Sequence, residues 1–459
     1  MQSLKAKLWL PCALCVVYAN ALLNSYLGGT FQFDDYNIIV YNARVHSWQT
    51  WWDDVGHGIR PLLKLTYTFN WTSNFGGGAP NTISFHLTNT VIHLGNTLLV
   101  FALTKKFVQH HAAALANAAT LPSISRIPFI AGLLFAVHPI HTEAVTYISG
   151  RSASLMTLFY LAGLLVYIIG REKNSHWYTL VFTPLMFIVA LSVKETAVTF
   201  PLALLAWELC LAENALQNIK RHQWTTWLVL LLGIFIFIVS EHYFSQMERS
   251  AAFNTLSGNL ATQCIAFTYL MQQWFLPLWL NIDPDLKPVQ DFSGLAPQLV
   301  FLGGSIALML LTFRSRPWIF FGLAWTFIQL FPLYIFLPRI DIANDRQMYL
   351  VSWPLVMALA IEMSIWLKLK TLAFTTAALV LTLSLLTLQR NHQFRSEISL
   401  WQSTAQLSPN KARVRNNLGY AYMLAGQKDA ARAEFLAALK ANPAYYKARN
   451  NLARLDATQ

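Results

Sequence analysis

Eleven stretches of this chain stay apolar for about the 20 residues that a helix needs to cross a bilayer: 8–27, 82–104, 127–146, 152–170, 177–193, 196–212, 225–243, 297–313, 317–337, 347–366 and 371–389. In lipid each backbone N–H and C=O must find its partner inside the protein, which leaves helices as the economical solution. The expected fold is therefore an all-α polytopic membrane protein, a bundle of about eleven transmembrane helices. Composition agrees. Of 459 residues, 55% are hydrophobic and 12% are charged, about half the charged share of soluble domains. A soluble enzyme, a disordered chain and a disulfide scaffold are excluded. The four cysteines, Cys12, Cys15, Cys210 and Cys264, lie within apolar runs and read as packing residues rather than thiolate ligands.

Charge sets the expected direction of the spans. The formal charge of +12 would point to nucleic acid in a soluble protein, but here loop orientation accounts for it and no nucleic-acid partner is expected. With alternating spans, Lys5/Lys7, Lys105/Lys106/Arg126, Arg171/Lys173 and Lys220/Arg221 fall on one side, the cytoplasmic side by the positive-inside rule. Arg314/Arg316 and Lys368/Lys370 join them only if 256–281, apolar but broken by Gln263, Gln272 and Gln273, does not cross. That segment is read as an interfacial or re-entrant element of the outer face. The outer face then collects 28–81, 147–151, 194–195, 244–296, 338–346 and the tail. The domain reading is 1–389 for the membrane part, with 28–81 as first outer loop and 244–296 as a second, and 390–459 for the tail.

The tail has a period. Leu418, Gly419, Tyr422, Ala431, Phe435, Ala438 and Pro443 occupy the offsets of a 34-residue tetratricopeptide-type unit, with Pro409 34 residues before Pro443 and Leu452 34 after Leu418. So short an array reads either as a cap on the outer face or as a docking module for an acceptor or an envelope protein. Eleven Lys/Arg against four Asp/Glu over 390–459 suit an acidic partner or anionic lipid.

The outer face carries the candidate chemistry. Asp34 and Asp35 follow the first span directly. Paired, partly buried carboxylates rise in pKa, and either becomes a competent base for a hydroxyl nucleophile; a hydrated turn with an Asx cap is the alternative. Trp48, Trp51, Trp52, Asp53, Asp54 and His57 follow, then Arg60 and Pro61. Tryptophans here anchor an interface or face a sugar. His86 and His93 share a face of the second span, and His138, His141 and Glu143 cluster ahead of Gly150 and Arg151. His138 and His141 are three residues apart with Pro139 between them, a poor basis for zinc; no metal is assigned, and hydrogen bonding to phosphate or sugar hydroxyls is preferred. Lys194 and Glu195 form a tight turn, and Asp341, Asp345 and Arg346 precede Tyr349. A guanidinium fork holds phosphate bidentately, so Arg346 is the strongest anion candidate, with interfacial snorkelling as its alternative.

The blocks FQFDDYNIIVYN, IRPLLKLTYTFN, SFHLTNTVIHLGNTLLVF, LLFAVHPIHTEAVTYISGRSASL, SVKETAVTFPL and NDRQMYL, in this order and ahead of the repeat tail, resemble the transmembrane-and-tetratricopeptide-repeat O-mannosyltransferases of the C-type membrane glycosyltransferase (GT-C) superfamily. The resemblance covers nearly the whole chain. It implies a GT-C-like bundle and transfer of a sugar from a polyprenyl-phosphate donor to a hydroxyl of a protein or glycan acceptor on the extracytoplasmic side. Carried onto this chain it makes Asp34 the base and Asp35 its neighbour, with no cofactor. Donor phosphate and sugar contacts are expected from Arg60, His86, His138, His141, Glu143, Arg151, Lys194, Glu195, Arg346 and Tyr349. The short tail points to a bacterial member, hence an inner membrane with the tail in the periplasm and membrane lipids as neighbours. Two competing readings stand beside it: a transferase using a lipid pyrophosphate that bears an oligosaccharide, and a membrane scaffold recruiting envelope proteins through the tail.

Overall fold

A computed structural model describes residues 29–56, 59–73, 81–211, 221–238, 255–336 and 341–457. The expected span at 8–27, His57, and parts of 225–243 and of the 244–296 loop lie outside them. Among the described residues the regular structure is entirely helical. By length and composition five helices can cross a membrane: Thr82–His110, Ile148–Glu172, Pro317–Ile335, Asp345–Trp366 and Leu369–Gln393. A sixth is added if Leu121–Val137 and Pro139–Val145, bent by 52° at their junction, act as one span. Trp177–Val193, Thr226–Phe235 and Ala296–Thr312 are apolar but shorter. Among the described residues the expected spans thus appear as five or six helices of full length and several shorter ones, because some of the apolar stretches form interrupted helices. At 177–193, for instance, a π-helical turn, Trp177–Phe182, runs into an α-helix, Thr183–Val193.

The elements that build the site are α1 (Pro61–Thr72), α2 (Thr82–His110), α3 (Ile127–Val137), α4 (Arg151–Glu172), α5 (Leu256–Phe275), α6 (Met348–Trp366) and α7 (Leu369–Gln393). α2 packs on α3 and α4, and α6 packs on α3. The buried positions of α2 include Phe85, Asn89, Ile92, Asn96, Val100, Leu103 and Phe107, spaced three and four apart as one helix face requires. Its amide side chains tie it to neighbouring segments: Asn96 Nδ2 donates to the Ser154 carbonyl at 2.8 Å and Asn89 Nδ2 to the Val145 carbonyl at 2.9 Å. The break after α3 has a local cause. His138 precedes Pro139 and is extended, at φ −71° and ψ 123°, as a residue before proline tends to be, so the chain leaves the helix axis there.

Four tail helices follow α7: α8 (Glu397–Leu407), α9 (Ala412–Leu424), α10 (Lys428–Ala441) and α11 (Tyr446–Asp456). α9 and α10 form the tightest pair, since a Cβ at Gly419 would meet the Phe435 ring at 2.8 Å. Only a glycine lets the two backbones approach so closely.

Candidate functional site

Four chain segments at one end of the bundle converge on a small, partly open cavity lined by Phe33, Asp34, Glu143, Tyr147, Ile282, Asp283, Asp341, Arg346, Trp401 and Arg413; the tail supplies the last two. Phe33 is in the left-handed region at φ 43°, uncommon for a bulky residue, and this kink delivers Asp34 to the cavity. The Asp34 N–H donates to the Tyr147 hydroxyl at 3.0 Å. Burial pushes the Asp34 carboxyl above its usual range; Arg346 pulls it back, Asp341 adds to the rise, and Tyr147 and Arg413 lower it. The result is a carboxylate of raised basicity on the same cavity wall as a cation.

Asp35 has a different place. It is 1% exposed and does not line the cavity. Its Oδ1 accepts the Ser149 N–H at 2.8 Å and the Ser149 hydroxyl, and its Oδ2 accepts the Gln32 N–H at 3.0 Å. Burial raises its pKa to about 7 against those hydrogen bonds. The expected catalytic pair is therefore one residue at the cavity and one that ties its loop to the turn before α4. That turn is tight: a Cβ on Gly150 would fall 1.9 Å from the Glu143 carbonyl oxygen.

Glu143, 1% exposed, accepts the Arg346 N–H on Oε2 at 3.1 Å, and its Oε1 lies 3.5 Å from Arg346 Nε. The carboxylate fixes the guanidinium at the cavity wall rather than meeting a ligand alone. Behind it, Asp345 pairs with Arg390 at 3.6 Å, both buried.

The other expected contacts do not line the cavity. Arg60 makes a bidentate pair with Glu195, Nη2 to Oε1 at 2.9 Å and Nε to Oε2 at 3.2 Å. Lys194 is buried in the adjoining turn. Arg151 is fully buried, with Nε on Asn89 Oδ1 at 2.5 Å, Nη1 on Thr66 Oγ1 at 3.1 Å and Nη2 on the Phe85 carbonyl at 2.9 Å. His86 packs beneath Gly29. His138 Nε2 bonds the Trp274 carbonyl at 3.1 Å while its ring stacks on the indole. His141 Nδ1 bonds the Phe135 carbonyl at 2.8 Å, and the Tyr349 hydroxyl meets His93 Nδ1 at 2.6 Å and Asn96 Nδ2 at 3.2 Å. These groups were expected to reach a ligand; most of their donors and acceptors are engaged within the protein instead, as polar groups inside an apolar bundle require, whereas both ring nitrogens of His86 and Nε2 of His141 are buried without a hydrogen-bond partner among the described residues.

Sequence reasoning missed Tyr147, Asp283, Trp401 and Arg413. Tyr147 and Asp283 carry a weak signal, since both lie in short segments between helices. Arg413 carries none: a basic residue at the start of a repeat helix reads as a solvated charge.

No family model and no solved structure matches the chain. Several curated proteins do. It is 27% identical over 464 residues to "Protein O-mannosyl-transferase F38B6.6" of Caenorhabditis elegans, covering 92% of this chain and 61% of that protein. It is 27% identical over 436 residues to "Protein O-mannosyl-transferase Tmtc3" of Drosophila melanogaster, 79% of this chain and 46% of that one. It is 24% identical over 489 residues to the human "Protein O-mannosyl-transferase TMTC3", 92% and 50%. The chain thus spans about half to three-fifths of the length of these relatives. They are animal proteins, so the similarity lends no support to the bacterial source read from the short tail.

Proposed function

We propose that this chain is a membrane glycosyltransferase of the O-mannosyltransferase kind, moving a sugar from a polyprenyl-phosphate donor to a hydroxyl of a protein acceptor at the extracytoplasmic surface. One observation carries the reading: Asp34 and Arg346, far apart in sequence, line the same cavity at one end of an apolar bundle. The names of the similar proteins supply the reaction class. The donor lipid lies along the bundle, its phosphate meets Arg346, and the sugar sits at the mouth of the cavity. Asp34 accepts the proton of the acceptor hydroxyl as its oxygen attacks the anomeric carbon, and the bond from that carbon to the phosphate oxygen breaks with inversion. The electron pair leaves on the phosphate, whose added charge the guanidinium offsets in a site of low dielectric. Glu143 holds that guanidinium in register, and Asp35 holds the loop that presents Asp34.

The test uses purified full chain in lipid nanodiscs with polyprenyl-phosphate mannose and a serine/threonine-rich peptide. Asp34→Asn should lower transfer by about two to four orders of magnitude, the range of a general base, with melting temperature unchanged. Turnover retained in Asp34→Asn excludes Asp34 as the base.

A further inference from the structure

The transferase reading leaves the tail without a task, yet the tail is built into the cavity. It grips the loop that carries Asp34: the Phe33 N–H donates to Glu397 Oε1 at 2.8 Å, Gln32 Nε2 to the Phe394 carbonyl at 2.5 Å, and the Phe33 ring stands edge-on to Trp401 at 5.1 Å. The left-handed Phe33 backbone costs on the order of 1 kcal/mol and persists only where surroundings over-determine it; these contacts are such surroundings. On the opposite wall Arg413 reaches two carboxylates. Its Nε meets Asp283 Oδ2 at 2.7 Å, and its Nη2 meets Asp283 Oδ1 and Asp341 Oδ1, each at 2.5 Å. Lys411 adds a contact of 2.6 Å to Asp283. Arg413 therefore joins the tail to the segment after α5 and to the segment that leads into Arg346.

We infer that Arg413 is a positioning residue of the transfer site, carried in by the carboxy-terminal helices to bridge Asp283 and Asp341, so that the site is complete only when those helices are docked. This rests on the transferase reading above. The charge around the cavity favours it. Four carboxylates, Asp34, Glu143, Asp283 and Asp341, face two guanidiniums, Arg346 and Arg413. Arg346 is already held by Glu143. Without Arg413, among the described residues Asp283 keeps only Lys411 as a cationic partner and Asp341 has none, so that Asp341 confronts both Asp34 and an incoming phosphate. The groups that bear on Asp34 are Arg346 and Asp341 from the segment before α6, Tyr147 from the turn before α4, and Arg413 from the tail. Asp35 lies next to it in the loop, and Glu397 of the tail is bonded to the residue before it.

Removing Arg413 takes away a cation and exposes an anion, and both changes favour protonated Asp34. A base must be ionised, so Arg413→Gln moves the acidic limb of the kcat/KM profile to higher pH, by about one unit. Arg413→Lys keeps the charge and restores the limb; adding Asp341→Asn to Arg413→Gln draws it back. A purely structural arginine would lower the whole profile without moving its limb, and that result overturns the proposal. Hydrogen exchange on the full chain in nanodiscs gives a second reading that needs no turnover: Arg413→Gln should speed exchange by tenfold or more, about 1.4 kcal/mol of lost protection, at 412–416 and 285–289. Unchanged exchange also overturns the proposal. If wild-type protein fails to use polyprenyl-phosphate mannose, the transferase reading falls, and the exchange result alone decides whether Arg413 docks the tail.

Discussion

Asp34 and Asp35 are neighbours in the chain and opposites in environment. One lines a cavity opposite an arginine; the other is sealed behind it, bonded to Ser149 and Gln32. The sealed one makes a pH prediction. Its folded pKa of about 7 exceeds the unfolded value of about 3.9, so the native state binds its proton more tightly than the unfolded chain does. The resulting stabilisation is fully present below the unfolded value and is lost as pH rises through about 7. Asparagine keeps the shape and cannot ionise. Asp35→Asn should therefore flatten the fall in melting temperature between pH 4 and pH 7, and should lower transfer far less than Asp34→Asn does. An unflattened curve in the variant would mean that Asp35 does not titrate in that window.

At the scale of elements, the site depends on how tightly the turn before α4 closes. Gly150 is the closure: a methyl group there would overlap the Glu143 carbonyl oxygen at 1.9 Å, and the contact is backbone, so nothing flexible can yield. Gly150→Ala should cost about 1–3 kcal/mol as an overpacked position. It should also lose transfer beyond what its stability loss explains, because Glu143, displaced, releases Arg346. Thermal melting and transfer rates of the variant, compared with a control such as Gly303→Ala, where the added Cβ meets nothing within 4 Å, separate the two effects. The sequence made part of this legible. Apolar length located the long helices, and loop polarity assigned Asp34, Glu143 and Arg346 to one end. It did not distinguish a cation that lines a cavity from one turned wholly to partners inside the protein. Arg60 and Arg346 look alike in sequence, and each meets a carboxylate, but Glu195 engages the first bidentately away from the cavity, whereas the second, held by Glu143, also lines it. Which partner an arginine finds is a tertiary fact with no periodicity. The same holds for Arg413: a repeat pattern marks the seam residues Gly419 and Phe435 and says nothing of what the free edge of α9 meets.

The whole molecule has two chemically distinct ends. α2, α4 and α6 run from the cavity end to an end where Lys106 pairs with Glu172 at 2.5 Å, Arg171 with Glu208 at 3.1 Å, and Arg316 with Glu362. α7 runs back from Lys370 to Arg390, which pairs with Asp345 beneath the cavity. The tail docks at the cavity end through Asp283 and Asp341. Basic residues clustered at membrane-helix ends favour the cytoplasm, so the end bearing Lys105, Lys106, Arg171, Lys173, Arg316 and Lys368 should face inward and the cavity outward. A donor built on a polyprenyl chain then reaches the cavity from the outer leaflet. Single cysteines in a background freed of the four native ones test this arrangement, one at Lys173 and one at Gln406, both exposed and at opposite ends. In sealed cells an impermeant maleimide should label Gln406→Cys and spare Lys173→Cys until the membrane is opened. Labelling of both from one side would contradict a transmembrane bundle with the cavity and the tail together on its outer face. Labelling of Lys173→Cys alone would invert the orientation and place the cavity where an extracytoplasmic acceptor never arrives.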